Sequence, residues 1–219
     1  LEVGESPALS RRSDKEIHAN CDLTGYKSAF RDFTPPVGIP DNTGQSVVVG
    51  PIVLPADTTL IGDVVIGIEM EHSRIGDLIV NVGYDPTGDG SLVTATIVAR
   101  PGRTDCASPG ASLGCGADMV CDNTYRFDDS APQFFGETAP GACAATTPVP
   151  AGCYRPTGPC RSPLSVFEQY RKGGSWYLGV SDAATGDVGV ICGWSVHIRN
   201  ESIVGAAPAS WSTFKKRYD

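Results

Sequence analysis

The sequence predicts an all-β protein, a jelly-roll β-sandwich of about eight strands with a disulfide-stapled loop insertion, and three observations carry that expectation. First, 26 glycines and 17 prolines among 219 residues, without any repeat period, leave little room for long helices, because both residues break a helix interior. Second, apolar residues recur with a period of two in run after run, as strands with one face on a core require. Third, turn-forming clusters separate those runs at short intervals, as at Asp85-Pro86-Thr87-Gly88-Asp89-Gly90. Apolar residues make up 41% of the chain, enough to bury a core and too many for wholesale disorder.

Taken in order, residues 1–36 are polar and aperiodic and close on Thr34-Pro35-Pro36, which reads as a lead-in or linker. Residues 37–200 hold the periodic runs and form the expected domain. Val47 to Leu54 is the first run. Val64, Ile66, Ile68 and Met70 alternate with Val65, Gly67, Glu69 and Glu71 in the second. Leu78, Val80, Val82 and Tyr84 form the third, and Leu92 to Val98 the fourth. Trp176, Leu178 and Val180 follow, then Val188 to Ile191, and last Trp194, Val196 and Ile198 opposite Ser195, His197 and Arg199. That alternation places Trp176 and Trp194 in the core and His197 outside with Arg199. The single helical candidate is a turn at Ser165 to Tyr170. Residues 201–219 read as a tail with a basic end, Lys215-Lys216-Arg217, solvated rather than a processing site. The triplet Asn200-Glu201-Ser202 fits a glycosylation acceptor, a pattern common by chance.

Six of the eight cysteines fall between residues 100 and 163, in a stretch rich in Gly, Pro and Ala. They are Cys106, Cys115, Cys121, Cys143, Cys153 and Cys160, separated by eight, five, 21, nine and six residues. Zinc sites want closely paired ligands, which these spacings lack, so disulfide staples are expected in an unperiodic loop of this length. The even count points to an oxidising compartment, and we expect a secreted, extracellular protein whose signal has been removed. Cys21 and Cys192 stand apart, and a bond between them would tie the lead-in to the last strand pair, although spacing assigns no connectivity.

The formal charge of −8 and pI near 4.8 argue against a nucleic-acid partner and leave calcium open. No stretch approaches the 18 apolar residues that a membrane span needs. Gly110-Ala111-Ser112-Leu113-Gly114 has the form of a nucleophile elbow, but it lacks the strand before it and the helix after it. No zinc-protease helix, Walker loop or dinucleotide fingerprint occurs, and no nucleophile–base pair is apparent, so we expect a non-enzyme. Acidic residues recur at strand ends instead, at Asp77, at the adjacent Asp128 and Asp129, and at Asp182 and Asp187. Calcium takes six to eight oxygens, and strand-end loops of a sandwich can converge to supply them. For Asp128 and Asp129 the alternative is a turn held by Asx-type backbone bonds.

The chain carries, in order, Ile39-Pro40-Asp41-Asn42, His72-Ser73-Arg74-Ile75-Gly76-Asp77-Leu78 and Arg100-Pro101-Gly102. Tyr125-Arg126-Phe127-Asp128-Asp129-Ser130-Ala131, Tyr154-Arg155-Pro156 and Pro163-Leu164-Ser165-Val166-Phe167 come next. Gly174-Ser175-Trp176-Tyr177-Leu178-Gly179-Val180-Ser181-Asp182, Gly186-Asp187-Val188-Gly189 and Gly193-Trp194-Ser195-Val196-His197-Ile198 complete the series. Over residues 37–200 this resembles the P domain (Homo B domain) of kexin/furin-like proprotein convertases and of bacterial subtilisin-like serine proteases. The resemblance implies an eight-stranded, galactose-binding-like jelly roll that follows a subtilisin-type catalytic domain. It further implies a module that stabilises that endopeptidase by protein–protein contact and modulates its calcium and pH dependence. The family's acids map onto Asp77, Asp128, Asp129, Asp182 and Asp187, and no catalytic residue has a counterpart. Cys153 and Cys160, flanking Tyr154-Arg155-Pro156, depart from the family's pattern. The expected molecule is a monomer that contacts a subtilisin-like catalytic domain or its substrate, whether separated from that protease or free-standing. The competing expectation is a free-standing binding module, adhesive or carbohydrate-directed, for which Tyr154, Trp211 and Tyr218 are the candidate aromatics.

Overall fold

The computed structural model describes residues 21–42, 45–104, 114–145 and 147–200, and there the alternating runs become strands. In chain order these are β1 (Lys27–Ile39), β2 (Val47–Leu54), β3 (Ile61–His72), β4 (Leu78–Asp85), β5 (Val93–Ala99) and β6 (Tyr125–Phe127). They continue with β7 (Glu137–Ala139), β8 (Ala142–Cys143), β9 (Gly152–Tyr154), β10 (Gly174–Asp182) and β11 (Gly189–Asn200). Among the described residues helix is confined to two 3-10 turns, Ile75–Asp77 and Leu164–Phe167, the second inside the expected helical stretch.

Two sheets face each other, one ordered β1-β11-β3-β6-β9 and the other β2-β10-β4-β5. Leaving aside β7, β8 and β9, the eight remaining strands renumber in chain order to 1-8-3-6 over 2-7-4-5, the order of a jelly roll. Those strands pair antiparallel throughout, whereas β9 joins β6 in parallel. The core lies between the sheets and follows the period of two. Leu78, Val80, Val82 and Tyr84 of β4 meet Trp176, Leu178 and Val180 of β10, all buried. Trp176 stacks on Tyr84 with ring centroids 4.2 Å apart and takes Phe167 edge-on at 5.0 Å. Burying a tryptophan removes on the order of 200 Å² from water, so this pair anchors one end of the core.

Four expectations need correction. The sheet begins at Lys27, inside the segment read as lead-in, because β1 pairs with β11 along its edge through backbone hydrogen bonds and needs little apolar alternation of its own. The cysteine-rich stretch is not strandless. It supplies β6, the sixth strand of the roll, whose Tyr125 and Phe127 point inward; three residues are too few to show a period. The runs at Val188–Ile191 and Trp194–Ile198 are one strand, β11, whose register slips at Cys192. Finally, Cys192 bonds Cys121, and Cys21 bonds Cys153, so the proposed Cys21–Cys192 bridge does not form.

Cys115–Cys143 closes within the insertion, while the other two described bridges fasten it to β11 and to the segment ahead of β1. Cys160 is disulfide-bonded as well. A single buried carboxylate organises the rest. Glu137 accepts the N–H groups of Gly102 (2.6 Å) and Gly141 (3.0 Å) and the Thr157 hydroxyl.

Candidate functional site

The turn between β3 and β4 brings charged groups to one end of the sandwich. Asp77 closes that 3-10 turn and is 1% exposed, and Asp182 ends β10 directly across from Leu78. The Asp77 carbonyl accepts the Ala183 N–H at 2.8 Å, which fixes the two strand ends together. Asp182 Oδ2 lies 3.2 Å from His72 Nε2. His72 Nδ1 accepts the Arg74 N–H at 3.1 Å, so Nε2 carries the proton and donates it to Asp182. Asp187 accepts the Ser73 hydroxyl at 2.7 Å and pairs with Arg74 Nε at 3.3 Å. Arg74 and Arg100 stand 3.8 and 3.7 Å from the two oxygens of Asp77, yet neither oxygen accepts a hydrogen bond. Burial first, and the charge of Asp182 next, push the Asp77 carboxyl up to about 6 against the pull of the two arginines. Arg100 is held with φ of +53°, an uncommon backbone for a residue with a side chain, and donates from Nε to the Gly76 carbonyl at 3.2 Å.

Of the five aspartates expected as ligands, Asp77, Asp182 and Asp187 therefore lie at one end of the sandwich, linked through His72, Ser73 and Arg74, but their carboxylate oxygens do not all come within 4.8 Å of one another. Asp128 and Asp129 are engaged elsewhere. Asp128 Oδ1 takes the N–H and hydroxyl of Ser130, both at 2.7 Å, an Asx turn. Asp129 gives both oxygens to the Leu164 and Ser165 N–H groups at 2.9 Å, capping the second 3-10 turn. Asp128 also lies beside Cys21 and Cys153, but those two sulfurs are bonded to each other and are not metal donors. Arg74, Arg100 and His72 were the members that strand-end carboxylates alone did not single out; His72 and Arg74 stand in the same short segment as Asp77.

A second feature is the outer face of the β2-β10-β4-β5 sheet. Register places Val48, Gly179, Asn81 and Thr96 side by side, with Tyr177, Gly83 and Thr94 in the neighbouring row. Between the strand ends this face carries no charged side chain. Val48 and Val53 are 62% and 65% exposed, and Leu92, also exposed, lies over Gly83. The signal was present in the runs themselves, which hold no lysine, arginine or glutamate and no aspartate before their ends.

The outer face of the other sheet is covered. Cys21, Ala131 and Cys153 pack on Val65 with Leu23 and Tyr26, and the Tyr26 hydroxyl donates to Asp63, which also binds Arg199 at 2.6 Å. On the same face His197, with the Phe30 ring edge-on to it at 5.4 Å, is 1% exposed, contrary to the outward, solvated position expected from alternation. Its Nδ1 meets the Ser28 hydroxyl at 2.7 Å and its Nε2 the Ser195 hydroxyl at 2.9 Å. Ser195 fits there because β3 has Gly67 opposite, where any Cβ would overlap the Ser195 hydroxyl. The pair has a second serine where a catalytic dyad would place an orienting carboxylate. Tyr154 is 5% exposed, its ring against Phe135, and so offers no platform for a sugar; Trp211, Tyr218, Ser112 and the basic tail lie outside the described residues.

No family model and no curated protein matches the chain. Among solved structures it is similar to a serine protease of Aeromonas sobria, seen both by itself and in complex with the chaperone. In each case the identity is 12% and the TM-score 0.33, over 79% of this chain and 26% of the other. The chain thus spans about a quarter of the length of the structures it matches.

Proposed function

We propose that the chain is a secreted, non-catalytic P domain of a subtilisin-like serine endopeptidase, comprising residues 37–200 together with the part of β1 that precedes them. Its role is to stabilise or modulate the protease by docking through the uncharged face of the β2-β10-β4-β5 sheet. That face carries the reading. Covering its exposed valines returns roughly 25 cal/mol per Å² of apolar surface and desolvates no charge. The three described disulfides suit the oxidising compartment in which such proteases work, and no helix among the described residues is long and apolar enough to cross a membrane.

Calcium belongs to the same reading. The residues that would hold it are Asp77, Asp182 and Asp187, since the buried oxygens of Asp77 accept no hydrogen bond and its carboxyl is driven up by burial first and by the charge of Asp182 next. When bound, the ion neutralises that repulsion and adds stability as a linkage that disappears with chelator. Asp128 and Asp129, which the resemblance adds, keep their turn and capping roles.

Three measurements test the proposal. The melting temperature should rise with calcium and fall back in EDTA, and Asp77→Asn should remove the calcium increment without lowering the EDTA melt. An unchanged wild-type melt would sink the metal assignment. Calorimetric titration onto the subtilisin-type catalytic domain encoded with this chain should show binding that Val48→Asp with Val53→Asp weakens at least tenfold. Fluorogenic peptides should not be turned over by the isolated chain; turnover overturns the non-catalytic reading.

A further inference from the structure

The insertion forms a cavity of about 460 Å³ whose walls include Phe134, Arg155, Pro156, Pro159, Arg161 and Asp129. That volume lies within the usual range for small-ligand pockets. Arg155 and Arg161 reach it from either side of the turn at Pro156–Cys160, and both place their guanidinium over one ring. The distances to the Phe134 centroid are 5.4 and 5.8 Å. Each is also tethered to backbone, Arg155 Nε donating to the Ala131 carbonyl and Arg161 Nη1 to the Gly158 carbonyl at 2.9 Å. Neither forms an ion pair among the described residues. The one acid on the wall, Asp129, has both oxygens occupied by the N–H groups of Leu164 and Ser165.

The cavity therefore gathers two guanidiniums on an aromatic floor in a protein whose formal charge is −8. A guanidinium fork matches a carboxylate bidentately, and the tethers to backbone reduce the ordering needed on binding. The carboxylate of Asp129 on the same wall repels any anion, a dianion such as phosphate about twice as strongly as a single carboxylate. Phe134, Pro156 and Pro159 offer apolar contact to the methylene stem that carries the acid. We propose that this cavity receives a glutamate or aspartate side chain from an acidic segment of a partner polypeptide, a site distinct from both the aspartate cluster and the uncharged sheet face.

The test is fluorescence anisotropy with a labelled hexapeptide of glutamate and glycine, acetylated and amidated at its ends. Controls are the glutamine version, the glutamine version with a free C-terminal carboxylate, and competition by inorganic phosphate. The glutamate peptide should bind, more weakly as salt rises, and Arg155→Ala with Arg161→Ala should weaken it at least tenfold at an unchanged melting temperature. Should that double variant fail to fold, Arg161→Ala alone, an exposed position, should still weaken binding. The proposal is overturned if the glutamate peptide does not bind, or if the glutamine peptide or the arginine variants bind equally well. It is also overturned if the free terminus or phosphate proves the preferred anion.

Discussion

His197 is buried between the hydroxyls of Ser28 and Ser195, and burial together with the charge of Arg126 drives its imidazole down to about 4. In the unfolded chain the ring titrates near 6.5. The unfolded state therefore binds a proton that the folded state refuses between pH 6.5 and 4. The neutral ring contributes stability that is fully present above pH 6.5 and is lost as pH falls through 4, about 3 kcal/mol in all. Unfolding free energies of the wild type and His197→Gln, measured by denaturant between pH 4 and 7.5, should show this loss in the wild type alone. Parallel pH profiles would mean that His197 titrates normally. Asp77 is perturbed with the opposite sign, so the variant difference rather than the raw profile isolates the histidine.

At the scale of elements, two of the sandwich's four edge strands carry their own guard against pairing with another molecule. Pro35 and Pro36 break the register of β1, and Pro51 sits in β2, so neither of these two edges presents an unbroken row of donors. The insertion depends instead on covalent and steric fastening. The Cys121–Cys192 bond closes a separation of 71 residues, worth about 4 kcal/mol on chain-entropy grounds. Cys121→Ser with Cys192→Ser should lower the unfolding free energy by that order while β2, β10, β4 and β5 stay paired, as amide exchange can report. Gly158 has φ of +92°, and a Cβ there would collide with the Ala99 carbonyl, where the insertion is tied to β5 through Thr157. Gly158→Ala is therefore expected to destabilise the protein by more than 1 kcal/mol in the same assay.

Over the whole molecule, the proposed functions fall on separate surfaces of one roll: aspartates at a strand-end corner, an uncharged sheet face, and an arginine-lined cavity in the insertion. Reduction should therefore act on these unequally. With dithiothreitol the β2-β10-β4-β5 face, whose strands carry no cysteine, should keep its binding at concentrations that abolish peptide capture by the cavity. Equal loss of both would mean that the sandwich does not outlast its insertion.

The period-two runs of β3, β4, β10 and β11 determined the all-β class by themselves, because a strand buried on one face must alternate. The same alternation placed Trp176, Leu178 and Val180 correctly in the core. It could not see β1, whose place is held by backbone pairing, nor the three-residue β6. It put His197 in water because alternation tells two faces apart but not whether side chains of a neighbouring strand, here Ser28 and Phe30 of β1, close over the outer one. Strand-end position marked all five aspartates alike. Only the fold, by setting Leu78 opposite Asp182 and turning Asp129 onto the Leu164 amide, decided that three share one end of the sandwich and two do not. Which cysteines bond was likewise a matter of distance in space, which spacing along a chain does not contain.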